Sequence, residues 1–391
     1  MDTGKKALVV ASVASMISQF NMPFIKMLQE SGYEVHIACN FKQGNTCDRK
    51  QIIHLQKELE ESGAVYFQVD FCRNVARVDK NLKAYCQMKK ILKENKYKLV
   101  HCHSPIGGMA GRVAAKKYRK KGLKVIYTAH GFHFYKGAPL LNWFLFYPVE
   151  WLLSYWTDVL ITINKEDYKR AKRSLHAKRT EYVHGVGINV SKFRDGKIDI
   201  CKKRRSLNLK KDDIMLFSVG ELNENKNHSV VIHALAEMNN PQIHYFIAGS
   251  GRLKEKLGQL SEKLGIEKQI HLLGYRNDIR QLLQIADIYL LPSRREGLNV
   301  SLMEAMASGV PCIVSRIRGN VDLIADSKYL VAADDVEGWK HAVKNMVICI
   351  QGGDMSFVET NRKRIQQYAA SIVNEQMKKI YLSDEVKSYD L

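Results

Sequence analysis

Short apolar runs rich in β-branched residues alternate along the chain with segments whose apolar residues recur every three or four positions. The first pattern is typical of buried strands and the second of amphipathic helices, so the alternation predicts βα units and parallel sheets. Predicted strands in the first half are Ala7–Ser12, Tyr33–Cys39, Val65–Val69, Lys98–His103, Lys124–Ala129, Asp158–Ile163 and Thr180–His184. In the second half they are Ile214–Gly220, His244–Gly249, Gln269–Leu273, Ile288–Leu291, Pro311–Ser315 and Tyr329–Val331.

The alternation stops at Gly185–Asp212, where Gly, Lys and Arg occur without a sustained period. A chain of 391 residues exceeds the usual size of one hydrophobic core. We therefore predict an α/β protein with two Rossmann-like domains, residues 1–190 and 191–365, joined by this linker. Ligand loops at the carboxyl ends of the two sheets would face each other across a cleft. One long helix is predicted over Phe357–Tyr381, and the segment 366–391 could pack back on the first domain.

The first apolar run, Ala7–Ser12, is too short for a secretory signal or a membrane span. No other stretch approaches the roughly 18 apolar residues that a span needs. We therefore expect the chain to stay in the cytoplasm. Eight cysteines show no paired or zinc-like spacing, which favours reduced, buried thiols and predicts no metal site.

The net charge of +21 is concentrated in one region. Between Arg73 and Lys124 the chain has sixteen Lys or Arg against two acidic residues, Asp79 and Glu94. Such a field attracts polyanions, either nucleic acid or the anionic inner face of the cell membrane, although solvated helix faces would also account for it. Nucleic-acid binding usually interleaves more aromatic platforms with the cations, so we expect no specific nucleic-acid partner.

The segment Leu140–Trp156 is densely apolar and aromatic, but Pro148 and Glu150 interrupt it. It is either a buried helix between elements or an interfacial segment, since Trp and Tyr favour the headgroup level of a membrane. With the basic helices of the same half, the second interpretation predicts peripheral docking on an anionic membrane surface.

The most informative segment is Ser293–Pro311. A strand ends before it, a polar turn follows, a helix begins near Asn299, and Gly309 stops that helix. Glu296 therefore lies in the loop and Glu304 on the helix, while the free amides of the helix start suit a phosphate. Two carboxylates beside such a helix start can accept hydrogen bonds from sugar hydroxyls. From these residues alone, it is equally acceptable that Glu296 is a first-turn partner of the helix dipole and that Glu304 is a solvated helix residue.

This segment resembles the family-4 glycosyltransferases of the GT-B fold, whose hallmark is Glu-x7-Glu followed by a helix of small residues and Gly-x-Pro. The resemblance implies that Glu296 binds hydroxyls of a donor sugar and that Glu304 binds the ribose. It also places four further residues along the sugar and diphosphate, namely Gly297, Leu298, Asn299 and Val300.

Other matches to the family follow in the same order. The loop Val219–His228 resembles the one in which a lysine meets the donor diphosphate, which assigns that contact to Lys226 and a backbone position to Gly220. Many relatives carry Arg where this chain has Glu221, so one phosphate contact is missing, and Arg294 or Arg295 is a candidate replacement. Near the nucleotide base, the resemblance places four residues on two further turns: Gly249, Gly251, Tyr275 and Arg276.

In the first half, His130 ends the strand-like run Tyr127–Ala129, where the family has a cleft histidine near the donor sugar and phosphate. The resemblance makes His130, Glu296 and Lys226 the catalytic candidates. It implies a retaining, metal-independent transfer of a hexose or N-acetylhexosamine from a UDP-sugar, without a cofactor. The acceptor would be a saccharide linked to polyprenyl diphosphate, in the synthesis of a bacterial capsule or exopolysaccharide. A GT-B nucleotide-sugar epimerase, a silent donor-binding protein and a basic nucleic-acid-binding protein are the alternatives.

Overall fold

The structure is a computed structural model that describes residues 4–45, 48–74, 77–194 and 198–383. The chain forms two compact units. One contains the chain up to Val186 together with the terminal segment that starts at Ser371, and the other runs from Gly187 to Ala370. Each unit is an α/β domain with a parallel sheet, as the alternation of patterns predicts. Within the described ranges, no helix is both long and apolar enough to cross a membrane.

The first unit contains a seven-stranded sheet with the order β3-β2-β1-β4-β5-β6-β7. Its strands are β1 (Lys6–Val13), β2 (Glu34–Asn40), β3 (Val65–Gln68), β4 (Tyr97–His103), β5 (Lys124–Ala129), β6 (Val159–Thr162) and β7 (Arg179–Tyr182). Its helices before Val186 are α1 (Ala14–Met16), α2 (Met22–Glu30), α3 (Arg49–Glu61), α4 (Val78–Glu94), α5 (Pro105–Arg119), α6 (Leu140–Ser154) and α7 (Lys165–Ser174). A π-helical stretch, Ile17–Asn21, joins α1 to α2. Alternate residues of β1 enter different apolar clusters, Val9 one and Leu8 the other, so both faces of the sheet are covered.

The second unit contains a six-stranded parallel sheet with the order β10-β9-β8-β11-β12-β13. Its strands are β8 (Ile214–Val219), β9 (Ile243–Ala248), β10 (Ile270–Gly274), β11 (Ile288–Leu291), β12 (Cys312–Ser315) and β13 (Leu330–Val331). Its helices are α8 (Val190–Arg194), α9 (Ile200–Arg205), α10 (His228–Met238), α11 (Lys254–Lys263), α12 (Ile279–Ile285), α13 (Val300–Ser308), α14 (Asn320–Leu323), α15 (Val336–Gln351) and α16 (Ser356–Ile365). Three 3₁₀ turns complete it: Glu267–Gln269, Ser327–Tyr329 and Gln366–Tyr368. Every predicted strand is present in the two sheets.

The segment Gly185–Asp212 is not a linker over its whole length, contrary to the prediction. It contains α8 and α9, and Val190 and Phe193 are buried in the core of the second unit. Each of these helices is too short to produce a helical period in the sequence. The chain therefore first passes from one unit to the other at Val186–Gly187, before the predicted boundary at residue 190.

The single terminal helix predicted over Phe357–Tyr381 is also wrong. After α16 and the turn Gln366–Tyr368, the backbone of Ala369 is extended, and a last helix, α17 (Ala370–Leu382), begins. The amide of Ile188 donates to the Tyr368 carbonyl at 2.9 Å, and the Ala370 amide donates to the Ile188 carbonyl at 2.8 Å. These two bonds require extended backbone, so they replace a continuous helix.

Helix α17 packs on the first unit. Val373, Met377, Ile380 and Tyr381 are buried in one of the two apolar clusters of that unit. The Tyr381 hydroxyl lies 2.8 Å from His101 Nδ1, and Lys124 Nζ donates to the Ile380 carbonyl at 2.6 Å. Helix α17 is thus tied to β4 and β5 of the first sheet.

Candidate active site

The loops after β8 and β11 leave the second sheet where its strand order reverses. These two strands pair with each other, but the chain continues from β8 outward to β9 and from β11 outward to β12. Ligands of parallel α/β sheets bind at this kind of switch point, outside the carboxyl ends of the strands. The β8 loop carries Gly220 and Lys226, and the β11 loop carries the run Glu296–Asn299. The fold therefore brings together candidates that are about 70 residues apart in sequence.

Lys226 and Glu296 form an ion pair. Lys226 Nζ lies 2.7 Å from Glu296 Oε1, and their side chains are 17% and 15% exposed. The loops are also joined by backbone, since the Arg294 amide donates to the Asn225 carbonyl at 2.8 Å. Asn225 Nδ2 donates back to the Arg295 carbonyl at 2.9 Å. These bonds between the two loops fix the pair, so that the Lys226 ammonium and the Glu296 carboxylate lie together at the switch point.

Helix α13 starts beside this pair. Asn299 is its N-cap, and its Oδ1 accepts from the Leu302 amide at 3.0 Å. The first intrahelical bond runs from the Met303 amide to the Asn299 carbonyl, so the amides of Val300 and Ser301 precede it. Positive partial charge and unused donors at a helix start suit an anionic group. Gly309 ends α13 in the left-handed conformation, as predicted.

Three glycines permit the close packing of the strand-end loops. A Cβ on Gly249 would lie 1.8 Å from the Gly220 carbonyl oxygen, and one on Gly251 would lie 2.4 Å from the Leu222 carbonyl oxygen. On the other side of the site, a Cβ on Gly319 would lie 2.3 Å from the carbonyl oxygen of Gly297. No side chain fits at these positions, so glycine is required for the close approach of these loops.

Glu304 projects from α13 about one helical turn after Val300 and is partly buried. Burial raises the pKa of its carboxyl to about 7, and the nearby Lys192 opposes this shift. Lys192 belongs to α8, within the segment interpreted as a linker, so the sequence pattern gave no sign of its proximity. A carboxyl with such a pKa gains or loses its charge near neutral pH.

The two residues predicted near the nucleotide base lie in the loop after β10. The Tyr275 ring is exposed, which leaves its face open to stacking. Arg276, in contrast, makes a two-pronged ion pair with Asp278, at 2.7 Å through Nε and 2.5 Å through Nη2. Its guanidinium therefore shapes this loop through Asp278.

Arg294, one of the two candidate replacements for an arginine at Glu221, is engaged in an ion pair. Its guanidinium is held by Asp334 at 2.6 Å and by the Glu224 carbonyl at 2.7 Å. A different arginine, which the sequence analysis missed, is closer to the pair. Arg318 is 7% exposed, and its Nε donates to the Glu296 carbonyl at 3.2 Å. Its position just after β12, the strand beside β11, is the signal that could have identified it.

In the first unit, His130 follows β5 and belongs to a cluster of three histidines. Its Nε2 lies 3.2 Å from His103 Nδ1, and the His103 ring lies next to that of His101, with centroids 4.0 Å apart and an interplanar angle of 42°. Burial lowers the pKa of His130 to about 4, so its imidazole is neutral at pH 7. A neutral imidazole can donate one hydrogen bond and accept another, but it supplies no positive charge.

Two family models match the chain. The one described as "Glycosyl transferase 4-like" covers residues 8–164, and the one described as "Glycosyl transferases group 1" covers residues 199–366. A Bacillus subtilis (strain 168) protein named as a glycosyltransferase, EpsD, is 35% identical over an alignment of 391 positions, which covers 96% of each chain. The Escherichia coli UDP-Gal:alpha-D-GlcNAc-diphosphoundecaprenol alpha-1,3-galactosyltransferase is 28% identical over 338 residues, which cover 84% of both chains.

Solved structures share the fold at lower identity. Anabaena Alr3699/HepE in complex with UDP and glucose superposes with a TM-score of 0.76 at 17% identity, over 97% of this chain and all of that one. WaaG, a glycosyltransferase involved in lipopolysaccharide biosynthesis, gives a TM-score of 0.72, also at 17% identity, with 97% of this chain and 100% of that one covered.

Two parallel Rossmann-like sheets, with a lysine, two glutamates and a helix start at one switch point, define a glycosyltransferase of the GT-B fold. The two models and the near full-length relative settle the family as well: the chain belongs to the family-4 glycosyltransferases.

Proposed function

We propose that the protein is a retaining hexosyltransferase that moves a hexose or N-acetylhexosamine from a UDP-sugar to a saccharide on polyprenyl diphosphate, in bacterial surface polysaccharide synthesis. The observation that carries the donor side is the Lys226–Glu296 pair beside the start of α13. On the acceptor side, the name of the Escherichia coli relative gives a UDP-sugar donor, an undecaprenyl-linked acceptor and an α-linked product.

The chemistry follows from where charge develops. When the glycosidic bond of the donor breaks, negative charge grows on the leaving diphosphate, and Lys226 and the α13 amides stabilise it electrostatically. Glu296 then accepts hydrogen bonds from hydroxyls of the sugar, and Glu304 from those of the ribose. The neutral imidazole of His130 hydrogen-bonds the sugar or its phosphate. The acceptor hydroxyl attacks the anomeric carbon from the face that the diphosphate leaves and gives its proton to the departing diphosphate. The new bond therefore keeps the anomeric configuration, and no cofactor takes part.

Mass-spectrometric detection of a glycosylated acceptor tests this function. The protein is incubated with UDP-glucose, UDP-galactose and their N-acetyl derivatives, each with a GlcNAc-diphosphate carried on a polyprenyl chain. We expect one donor to give an α-linked product that contains the acceptor. An epimerase would convert the UDP-sugar without an acceptor, and a silent binder would leave both substrates intact.

The ionisation of Glu304 predicts that the affinity for donor depends on pH. Because its pKa is raised to about 7, the carboxyl is largely protonated at pH 6 and ionised at pH 8. Only the ionised form accepts from both ribose hydroxyls, so affinity should rise with pH, by about tenfold between pH 6 and pH 8. The measurement is the Kd of UDP-glucose, which has no terminal phosphate that titrates in this range. Glu304→Gln should bind weakly at every pH, and a pH dependence that persists in this variant would contradict the assignment.

We further propose that α6 and the exposed lysines of the first unit dock on the anionic inner face of the cell membrane. The fully buried alternative for this helix is excluded, since Leu140, Leu141, Phe144 and Leu152 are exposed, Phe144 by 76%. Lys116, Lys117, Lys120 and Lys121 are exposed as well. Arg119 is a different case, because it pairs with Asp158 at 2.7 Å and donates to the Tyr155 carbonyl.

Changing those four exposed lysines to glutamine should reduce binding to vesicles that contain anionic lipid, by at least about tenfold at physiological salt. Arg119 is kept, because its loss would break a partly buried ion pair. The matched control replaces four exposed lysines of the second unit: Lys254, Lys256, Lys263 and Lys268. Co-sedimentation with both variants measures the effect, and equal losses would show that net charge, rather than this surface, drives binding.

A further inference from the structure

A cavity of about 470 Å³ opens in the first unit between α4, α5 and α6. Its walls are mostly carbon: α4 contributes Val78 and Leu82, α5 contributes Met109 and Val113, and α6 contributes Phe146. The volume lies within the range of about 300–1,000 Å³ that is typical of small-molecule sites. The donor chemistry described above makes no use of it.

The carboxylate of Glu150, which lines the cavity, is neutralised by an ion pair with Arg112. Both oxygens of Glu150 accept from Arg112 Nη2, at 3.0 and 2.8 Å, and the Tyr127 hydroxyl lies 3.3 Å from Oε1. The Arg112 guanidinium in turn lies 3.8 Å from the centre of the Tyr127 ring. A buried pair that is satisfied in this way presents no free charge to an occupant. The cavity is therefore suited to an apolar chain.

Cations surround this apolar cavity. Lys89 Nζ lies 5.7 Å from the centre of the Tyr85 ring, which lines the cavity. On α5, Lys117 follows the lining residue Val113 by one helical turn, and it is exposed. Helices α4 and α5 together carry nine basic and two acidic residues. An apolar cavity with a cationic surround complements an amphiphile with an apolar chain and an anionic head.

The cavity also lies beside the proposed catalytic residue. Its lining includes the run Gly131–Phe134, which directly follows His130, and Pro105, which follows β4. A chain held in the cavity thus has its head near the carboxyl edge of the first sheet. We propose that this cavity binds the first isoprene units of the polyprenyl-diphosphate acceptor. The inference deepens the proposed function and rests on it.

Calorimetric titration of farnesyl diphosphate and of inorganic diphosphate, both with saturating UDP to occupy the donor site, tests the proposal. We expect farnesyl diphosphate to bind at least about tenfold more tightly, because it buries an apolar chain. Val113→Trp fills the cavity and should remove that advantage. Leu152→Trp, which puts the same ring on an exposed position of α6 outside the cavity, should keep it. Equal binding of the two probes, or an advantage that survives Val113→Trp, would overturn the proposal.

A second variant guards against misfolding. Leu82 is 59% exposed, so Leu82→Glu should leave the fold intact while it places a charge in the apolar wall of the cavity. It should weaken the binding of farnesyl diphosphate without changing the Kd of UDP.

The proposed function and the cavity assignment would fail in different experiments. If farnesyl diphosphate binds in the cavity but no sugar is transferred, the proposed function fails, and if transfer occurs equally in wild type and Val113→Trp, the cavity assignment fails.

Discussion

Replacing Lys226 with alanine is expected to lower kcat/KM for sugar transfer by about a thousandfold. Lys226 is the side-chain cation next to Glu296 at the switch point, and its charge opposes the charge that grows on the leaving diphosphate. Arg294 is held by Asp334 and Arg318 donates to the Glu296 carbonyl, so Lys226 is the cation that meets the Glu296 carboxylate. Lys226→Arg, which keeps the charge but changes its geometry, should retain part of the activity. The measurement is the steady-state rate of UDP release by the wild-type protein, Lys226→Ala and Lys226→Arg.

The second unit offers a matched control for this variant. Lys340, on α15, also makes ion pairs, with Glu237 and Glu337, and it is 21% exposed, close to the 17% of Lys226. Lys340→Ala should therefore leave kcat/KM unchanged. If Lys226→Ala retains near-normal turnover, or if both alanine variants lose activity equally, Lys226 has no role in the transfer. Thermal unfolding of each variant separates lost chemistry from lost fold.

Replacing Glu296 with glutamine is expected to lower kcat by about a hundredfold or more, while the affinity for UDP itself changes little. The amide keeps the size of the side chain but removes an acceptor oxygen and the negative charge. Because the proposed contacts of Glu296 are with the sugar, the substitution should slow the transfer of sugar from UDP-sugar and leave the binding of UDP nearly unchanged. Transfer rates and the Kd of UDP provide the two readouts.

Glu337→Gln, from the Lys340–Glu337 pair on α15, is the control for the glutamine change. It should match the wild-type protein in both readouts. A Glu296→Gln variant that transfers sugar at the normal rate would remove Glu296 from the site. One that loses UDP affinity as strongly as it loses turnover would instead assign the residue to the nucleotide.

The sequence predicted much of the second unit because its signals are local. Alternating apolar runs marked every strand, and Asn299 and Gly309 marked the ends of α13 through their capping chemistry. The loop position of Glu296 and the helical position of Glu304 followed directly from those caps. Each of these features depends on a few neighbouring residues, so a single sequence is sufficient to predict it.

Features that depend on strand order could not be predicted in the same way. The distance of 2.7 Å between Lys226 and Glu296 exists because β8 pairs with β11, a pairing that no local pattern encodes. The same holds for the contact between His103, at the end of β4, and His130, which follows the neighbouring strand β5. The break at Ala369 was missed because it results from hydrogen bonds to Ile188, which is distant in sequence.

The most direct test of the donor site is a calorimetric comparison of UDP and uridine binding to the wild-type protein and to Lys226→Ala. If the switch point of the second sheet binds a nucleoside diphosphate through Lys226 and the start of α13, the wild-type protein will bind UDP far more tightly than uridine. Lys226→Ala will then lose at least about tenfold in affinity for UDP and none for uridine. Equal affinity of the two proteins for UDP would contradict the account.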